Sequence, residues 1–104
     1  MMRGPGAARL LERALLAAAA RAGAPIAIGA AQATEWHSAT FSGLRHEIAG
    51  EGETGPALDR WLAGLKDAEL PLAGHLVADI AVAAVERGAT CTAFRLEALA
   101  VMES

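Results

Sequence analysis

Along this 104-residue chain the spacing of apolar residues alternates twice between a helical period and a strand period. In residues 7–21, which are rich in Ala and Leu, Leu11, Leu15 and the Ala18/Ala19 pair fall on one helical face. Gly23 and Pro25 follow as stop signals. The pattern predicts a first helix over residues 7–21.

A second helix is predicted after residue 55. Its apolar residues recur at i, i+3, i+4 and i+7, the spacing of one helical face: Leu58, Trp61, Leu62 and Leu65. Thr54 precedes it as a candidate capping residue, and Pro56 suits its first turn. The helix should end before Pro71.

Residues 25–49 alternate with period two, which predicts two strands. No strong turn dipeptide locates the turn between them. The apolar phase changes near Ser42-Gly43, so we expect a β-bulge there. His46 shares the parity of Leu44 and Ile48, which predicts a partly buried, hydrogen-bonded histidine of the core.

The last pair of strands has the pattern of a hairpin around Arg87-Gly88-Ala89. The residues expected to face the helices are Leu76, Ala78, Ile80 and Val82 on one strand and Phe94, Leu96 and Ala98 on the other. The order α-β-β-α-β-β predicts an α+β two-layer sandwich, with two helices on one face of a four-stranded, mainly antiparallel sheet. We expect one small domain over residues 1–104, with residues 1–6 flexible.

The composition makes the expected core thin. Hydrophobic residues are 54% of the chain, but 27 of the 104 residues are alanine, which buries little area per side chain. Burial in an assembly would add to the stability that such a core provides.

Charge and hydropathy exclude two classes of partner. The net charge of −3 gives no basic footprint for nucleic acid. Charged residues interrupt every apolar run, so no membrane span is expected. The run Ala14–Ala20 imitates a signal peptide, but Glu12, Arg13 and Arg21 flank it closely, and we expect a helix of a cytoplasmic protein. The lone Cys91 can form no internal disulfide.

One segment matches the sequence pattern of a nucleotide-binding motif but not its chemistry. Residues 50–55 read Gly-Glu-Gly-Glu-Thr-Gly, which fits G-x-G-x-x-G before a helix. Glu51 and Glu53 would repel a pyrophosphate, so we interpret the segment as a flexible acidic connection.

No catalytic, cofactor-binding or metal-binding residue is assigned from the sequence. The possible metal ligands His37, His46, His75, Asp79 and Cys91 lack the spacing of a known site. Neither Ser38 nor Ser42 lies in a nucleophile elbow. The sequence therefore favours a non-enzymatic protein without a cofactor over an enzyme, which is the third alternative.

The feature with the most functional content is the sheet face away from the helices. The candidate interaction residues on it are Arg45, Glu47, His75, Asp79, Arg95 and Glu97, with apolar area from Val77, Leu99 and Val101. This pattern favours a protein-interaction or self-associating structural module, whose partner is a second copy or another protein. The alternative is a small-ligand or metal-binding module, using cross-strand histidines or a helix–sheet pocket near Trp36 and Trp61.

Overall fold

The computed structural model describes residues 6–102, which form two helices and four strands in the predicted order. The helices are α1 (Ala7–Arg21) and α2 (Pro56–Gly64), and the 3-10 turn Leu65–Asp67 follows α2. The strands are β1 (Ile26–His37), β2 (Ser42–Glu53), β3 (His75–Arg87) and β4 (Cys91–Met102). All neighbours pair antiparallel in the order β1-β2-β4-β3, which confirms the α+β prediction. Residues 1–5 of the segment expected to be flexible lie outside the described residues.

Both helices pack on the same face of the sheet. One buried cluster joins side chains of both helices to the two central strands: Leu11, Leu15, Leu58, Leu62, Ile48, Phe94 and Leu96. Within it the Trp61 and Phe94 rings meet edge to face, with centroids 6.2 Å apart. The predicted face of α1 is confirmed, since Leu11, Leu15 and Ala19 have no exposed surface.

The turn of the first hairpin is Ser38–Phe41. The Ser38 backbone N–H donates to the Phe41 carbonyl, and the Ser38 hydroxyl accepts from the Phe41 N–H at 3.0 Å. The expected β-bulge at Ser42-Gly43 is wrong, because β2 starts at Ser42 and pairs without a register shift against β4. The change of apolar phase marks the turn between two strands.

Bulges occur instead in the two edge strands of the described sheet. The register shifts once in β1, at Gly29, and twice in β3, at Ala78 and Ala83. The shift at Ala78 reverses the faces expected at the start of β3. Leu76 points away from the helices and is 59% exposed, whereas Val77 pairs with the buried Ala100.

The glycine-rich acidic segment is ordered sheet, so its interpretation as a flexible connection is wrong. Gly50 and Gly52 belong to β2 and pair with both neighbouring strands. A Cβ on Gly50 would lie 2.8 Å from Phe94 Cζ and 2.9 Å from the Ala27 carbonyl oxygen. Glycine is present here because Phe94 crosses the strand directly above it.

Thr54 ties α2 to the second hairpin and does not cap the helix. The N-cap residue is Gly55, which has no side chain that could cap the helix. The Thr54 hydroxyl donates to the Gly88 carbonyl at 2.8 Å and lies 2.7 Å from the hydroxyl of the buried Thr92. The start of α2 is therefore fixed against the β3–β4 turn.

Candidate interaction face

The sheet face that the helices leave uncovered, here called the open face, is ordered by the pairing register into rows across all four strands. Three rows contain most of its large side chains: Trp36–Gly43–Val101–Leu76, then Thr34–Arg45–Leu99–Asp79, then Gln32–Glu47–Glu97–Ala81. A fourth row contains mostly alanine: Ala30–Ala49–Arg95–Ala84. The open face thus passes from large apolar groups through charges to small residues.

The first of these, the apolar row, is built on a glycine. The Trp36 indole lies over Gly43, where an added Cβ would clash with the Ala100 carbonyl oxygen and lie 3.0 Å from Trp36 Nε1. The indole N–H is buried there and has no hydrogen-bond partner among the described residues. Leu76 and Val101 extend the row across the sheet, as large side chains with no helix above them.

The two central strands bring four exposed charges together. Glu47 pairs directly with Glu97, and Arg45 and Arg95 each lie two residues along the strand from one of these glutamates. Like charges directly opposite destabilise a sheet. Within residues 6–102 the only ion pair joins Arg87 to Asp59, 3.3 Å apart, so none of these four charges is paired with another described residue. They are available to a partner.

The fourth row, the alanine row, leaves shallow depressions between longer side chains. One depression is lined by Ala30, Gln32, Glu47, Ile48, Ala49 and Arg95. Small side chains on three strands lower the surface here, and the charged groups of the neighbouring row form its rim.

Five of the six sequence-predicted interaction residues lie together on the open face, and His75 does not. The five are Arg45, Glu47, Asp79, Arg95 and Glu97. His75 pairs with Met102, on the same parity of β4 as the buried Ala100, so its side chain lies on the helix side. The predicted face of His75 is wrong because the prediction assumed that side chains alternate between the two faces through Ala78, which is a bulge residue. The same error misplaced Val77.

The predicted histidine of the core is more deeply buried than expected. His46 is 1% exposed on the helix side of β2, and its Nε2 has no hydrogen-bond partner among the described residues. Burial lowers the pKa of His46, the positive charge of a protonated His75 lowers it further, and the carboxylate of Glu12 opposes the shift. Neutral imidazole is therefore the form that the fold accommodates.

We expect the protein to become less stable as the pH is lowered, because of His46. In the unfolded chain this side chain takes up a proton below about pH 6.5, whereas the folded state resists protonation, so unfolding takes up a proton. The free energy of unfolding should thus decrease as the pH falls through this range.

Urea unfolding at pH 7.5, 6.5 and 5.5 measures this dependence. His46→Leu should flatten it, while His37→Asn, at an exposed position of β1, should keep the slope of the unchanged protein. An equal slope in the His46→Leu variant would contradict the assignment.

The remaining candidate chemistry is dispersed. Cys91 is exposed, and its Sγ donates to Glu51 Oε2 at 3.3 Å; this hydrogen bond raises the pKa of the thiol. No group of three His, Cys, Asp or Glu side chains among residues 6–102 could hold a metal ion. Trp36 and Trp61 lie on opposite faces of the sheet, so the pocket expected near both is wrong.

Of the large side chains in the apolar row, sequence reasoning placed only Val101 on the open face. Leu76 was assigned to the core, and nothing in the sequence marks Ala78 as a bulge residue. The sequence alone allows Trp36 on either face of the sheet. The signal that could have placed it is Gly43, since an aromatic ring across a strand from glycine is a recurrent pairing.

Comparisons with protein-family models, with curated proteins and with solved structures find no match to this chain. No helix within residues 6–102 is long and apolar enough to cross a membrane. The functional conclusion therefore depends on the geometry of the open face.

Proposed function

We propose that this protein is a self-associating structural module, and that its partner is a second copy bound on the open face. The observation that supports this proposal is the contrast between the two sides of the sheet. The helix side buries a continuous core, whereas the open face displays the apolar row and four charges with no ion pair among the described residues. An uncovered face with large apolar groups is typical of an interaction surface.

The open face has the size that an interface of two proteins needs. A strand of 12 residues is about 40 Å long, and four strands with their side chains span about 20 Å. That area is close to the roughly 800 Å² that each partner contributes to a standard interface. The molecule is elongated, with extents of 45 × 27 × 22 Å.

The edges of the sheet are less suited to pairing than its face. Bulges interrupt a row of backbone donors and acceptors and twist it, which opposes the addition of another strand. In the described sheet the bulges at Gly29, Ala78 and Ala83 all lie in the edge strands β1 and β3. Association through the face is therefore the better proposal.

Sedimentation equilibrium over a concentration series tests self-association. We expect the average mass to rise from one chain to two between about 1 and 100 μM, the range of a moderate interface. Mutation of Leu76 to Lys on the open face should shift this transition to higher concentration. A mass of one chain throughout the series would overturn the proposal.

A cytoplasmic location is part of this proposal. The apolar run Ala14–Ala20 of α1 has charged residues at both ends. In the fold this helix contributes Leu11 and Leu15 to the core. Removal of the run as a signal peptide would uncover the sheet beneath it.

A further inference from the structure

We infer that two copies stack their open faces about a two-fold axis that crosses the strands between the row of Arg45 and the row of Glu47. This arrangement rests on the proposed self-association and specifies it. A two-fold axis in that position lays the second row of one copy over the third row of the other. It also lays the apolar row of each copy over the alanine row of its partner.

The charges of the open face become complementary in this arrangement. Each Arg45 lies above Glu47 of the other copy and beside Glu97, the two glutamates that face each other within one chain. The arginine thus supplies the positive charge that this pair lacks. Because the axis is two-fold, the contact occurs twice.

The shapes of the two end rows are also complementary. Trp36 lies over Ala30 of the other copy, and Leu76 lies over Ala84, so the largest side chains meet the smallest ones. Gly43 meets Ala49 between them, and Val101 meets the aliphatic stem of Arg95. Two sheets about 10 Å apart need this alternation of large and small side chains to exclude water.

A neighbouring position of the axis is less favourable. Moved by one row, between Glu97 and Arg95, the axis pairs these two residues across the interface. It lays Arg45 over Glu51 but Asp79 over Glu86, so an attraction is offset by a repulsion, and it moves the apolar row of each copy beyond the alanine row. The register between Arg45 and Glu47 avoids this repulsion and covers the apolar row.

The Arg45–Glu47 contacts fix the register of the dimer, and the covered apolar row supplies most of its affinity. Desolvation of two charges offsets much of their attraction, so such pairs contribute more to specificity than to net affinity. An unmatched charge in the same position is costly, which makes charge exchange a sensitive probe.

The test exchanges these two charges and measures the dimer dissociation constant by sedimentation equilibrium. R45E and E47R alone should each weaken the dimer about ten- to a hundredfold, because each places like charges together twice. The double variant R45E/E47R should recover to within about threefold of the unchanged protein, since the exchanged charges meet again across the axis.

Three controls test whether the change in affinity is specific to the Arg45–Glu47 contact. R13E reverses an exposed charge on α1 and should leave the dissociation constant unchanged. The double variant R95E/E97R should dimerise no more tightly than the single variants R95E and E97R. Recovery of affinity in that double variant would indicate the neighbouring axis. Far-UV circular dichroism confirms that each variant is folded.

The outcomes separate the arrangement from the proposed function. A dimer whose affinity does not recover in R45E/E47R, or does not weaken in R45E, overturns the arrangement while self-association stands. A single-chain mass in the unchanged protein overturns both. Recovery in R45E/E47R but not in R95E/E97R supports the arrangement.

Discussion

Replacement of Leu15 by alanine should lower the free energy of unfolding by about 2–5 kcal/mol, the range for a buried leucine that leaves a cavity. Leu15 has no exposed surface and lies in α1 against the sheet. Because so many of the other apolar residues are alanine, few larger side chains are present to fill the space. This loss is a large fraction of the 5–15 kcal/mol that stabilises a typical domain.

The adjacent residue provides the matched control. Leu16 is 39% exposed in the same helix, and Leu16→Ala removes the same atoms from the solvent side. We expect its free energy of unfolding, measured in urea, to change by less than about 0.5 kcal/mol. Similar losses at both positions would show that α1 does not pack as described.

Gly50→Ala should destabilise the fold by about 1–3 kcal/mol, although alanine is normally the better residue within a strand. The added methyl group would lie 2.8 Å from Phe94 Cζ and 2.9 Å from the Ala27 carbonyl oxygen. The Phe94 ring packs edge to face against Trp61, and the carbonyl belongs to the backbone of a paired strand. Thermal and urea unfolding measure the effect.

Gly29→Ala is the comparison for this substitution. Its Cβ would meet only the Ala49 carbonyl oxygen, at an ordinary distance of 3.9 Å. We expect an unchanged or slightly raised stability there. If Gly50→Ala were equally harmless, Phe94 would not pack across β2 as the structure has it.

The sequence was sufficient for the helices because their periodicity and stop signals are local. Leu11 and Leu15, or Leu58 and Leu62, repeat at helical spacing, and Gly23 ends the first helix in the left-handed conformation, with φ 77°. The α+β architecture followed from the order of these elements.

The strands were harder because a face assignment depends on every residue between two positions. One bulge residue, Ala78, exchanges the sides of Leu76 and Val77, and alanine has no property that marks it as a bulge. The turn at Ser38–Phe41 lacks the glycine or asparagine that identifies short hairpins. Arg45 and Glu47 were placed correctly because β2 pairs without a shift around them.

The bulges of β3 also limit which contacts with another chain the edge of the sheet can make. Ala78 and Ala83 are extra residues, so a chain without them would keep the other side chains of β3 on their present faces. Such a chain would also present a straight edge, able to pair with the edge of another copy. Stacking about a two-fold axis closes on itself at two copies, whereas pairing at both edges continues without limit as a fibre. The two alanines thus protect one edge of the described sheet from such pairing, and the bulge at Gly29 protects the other.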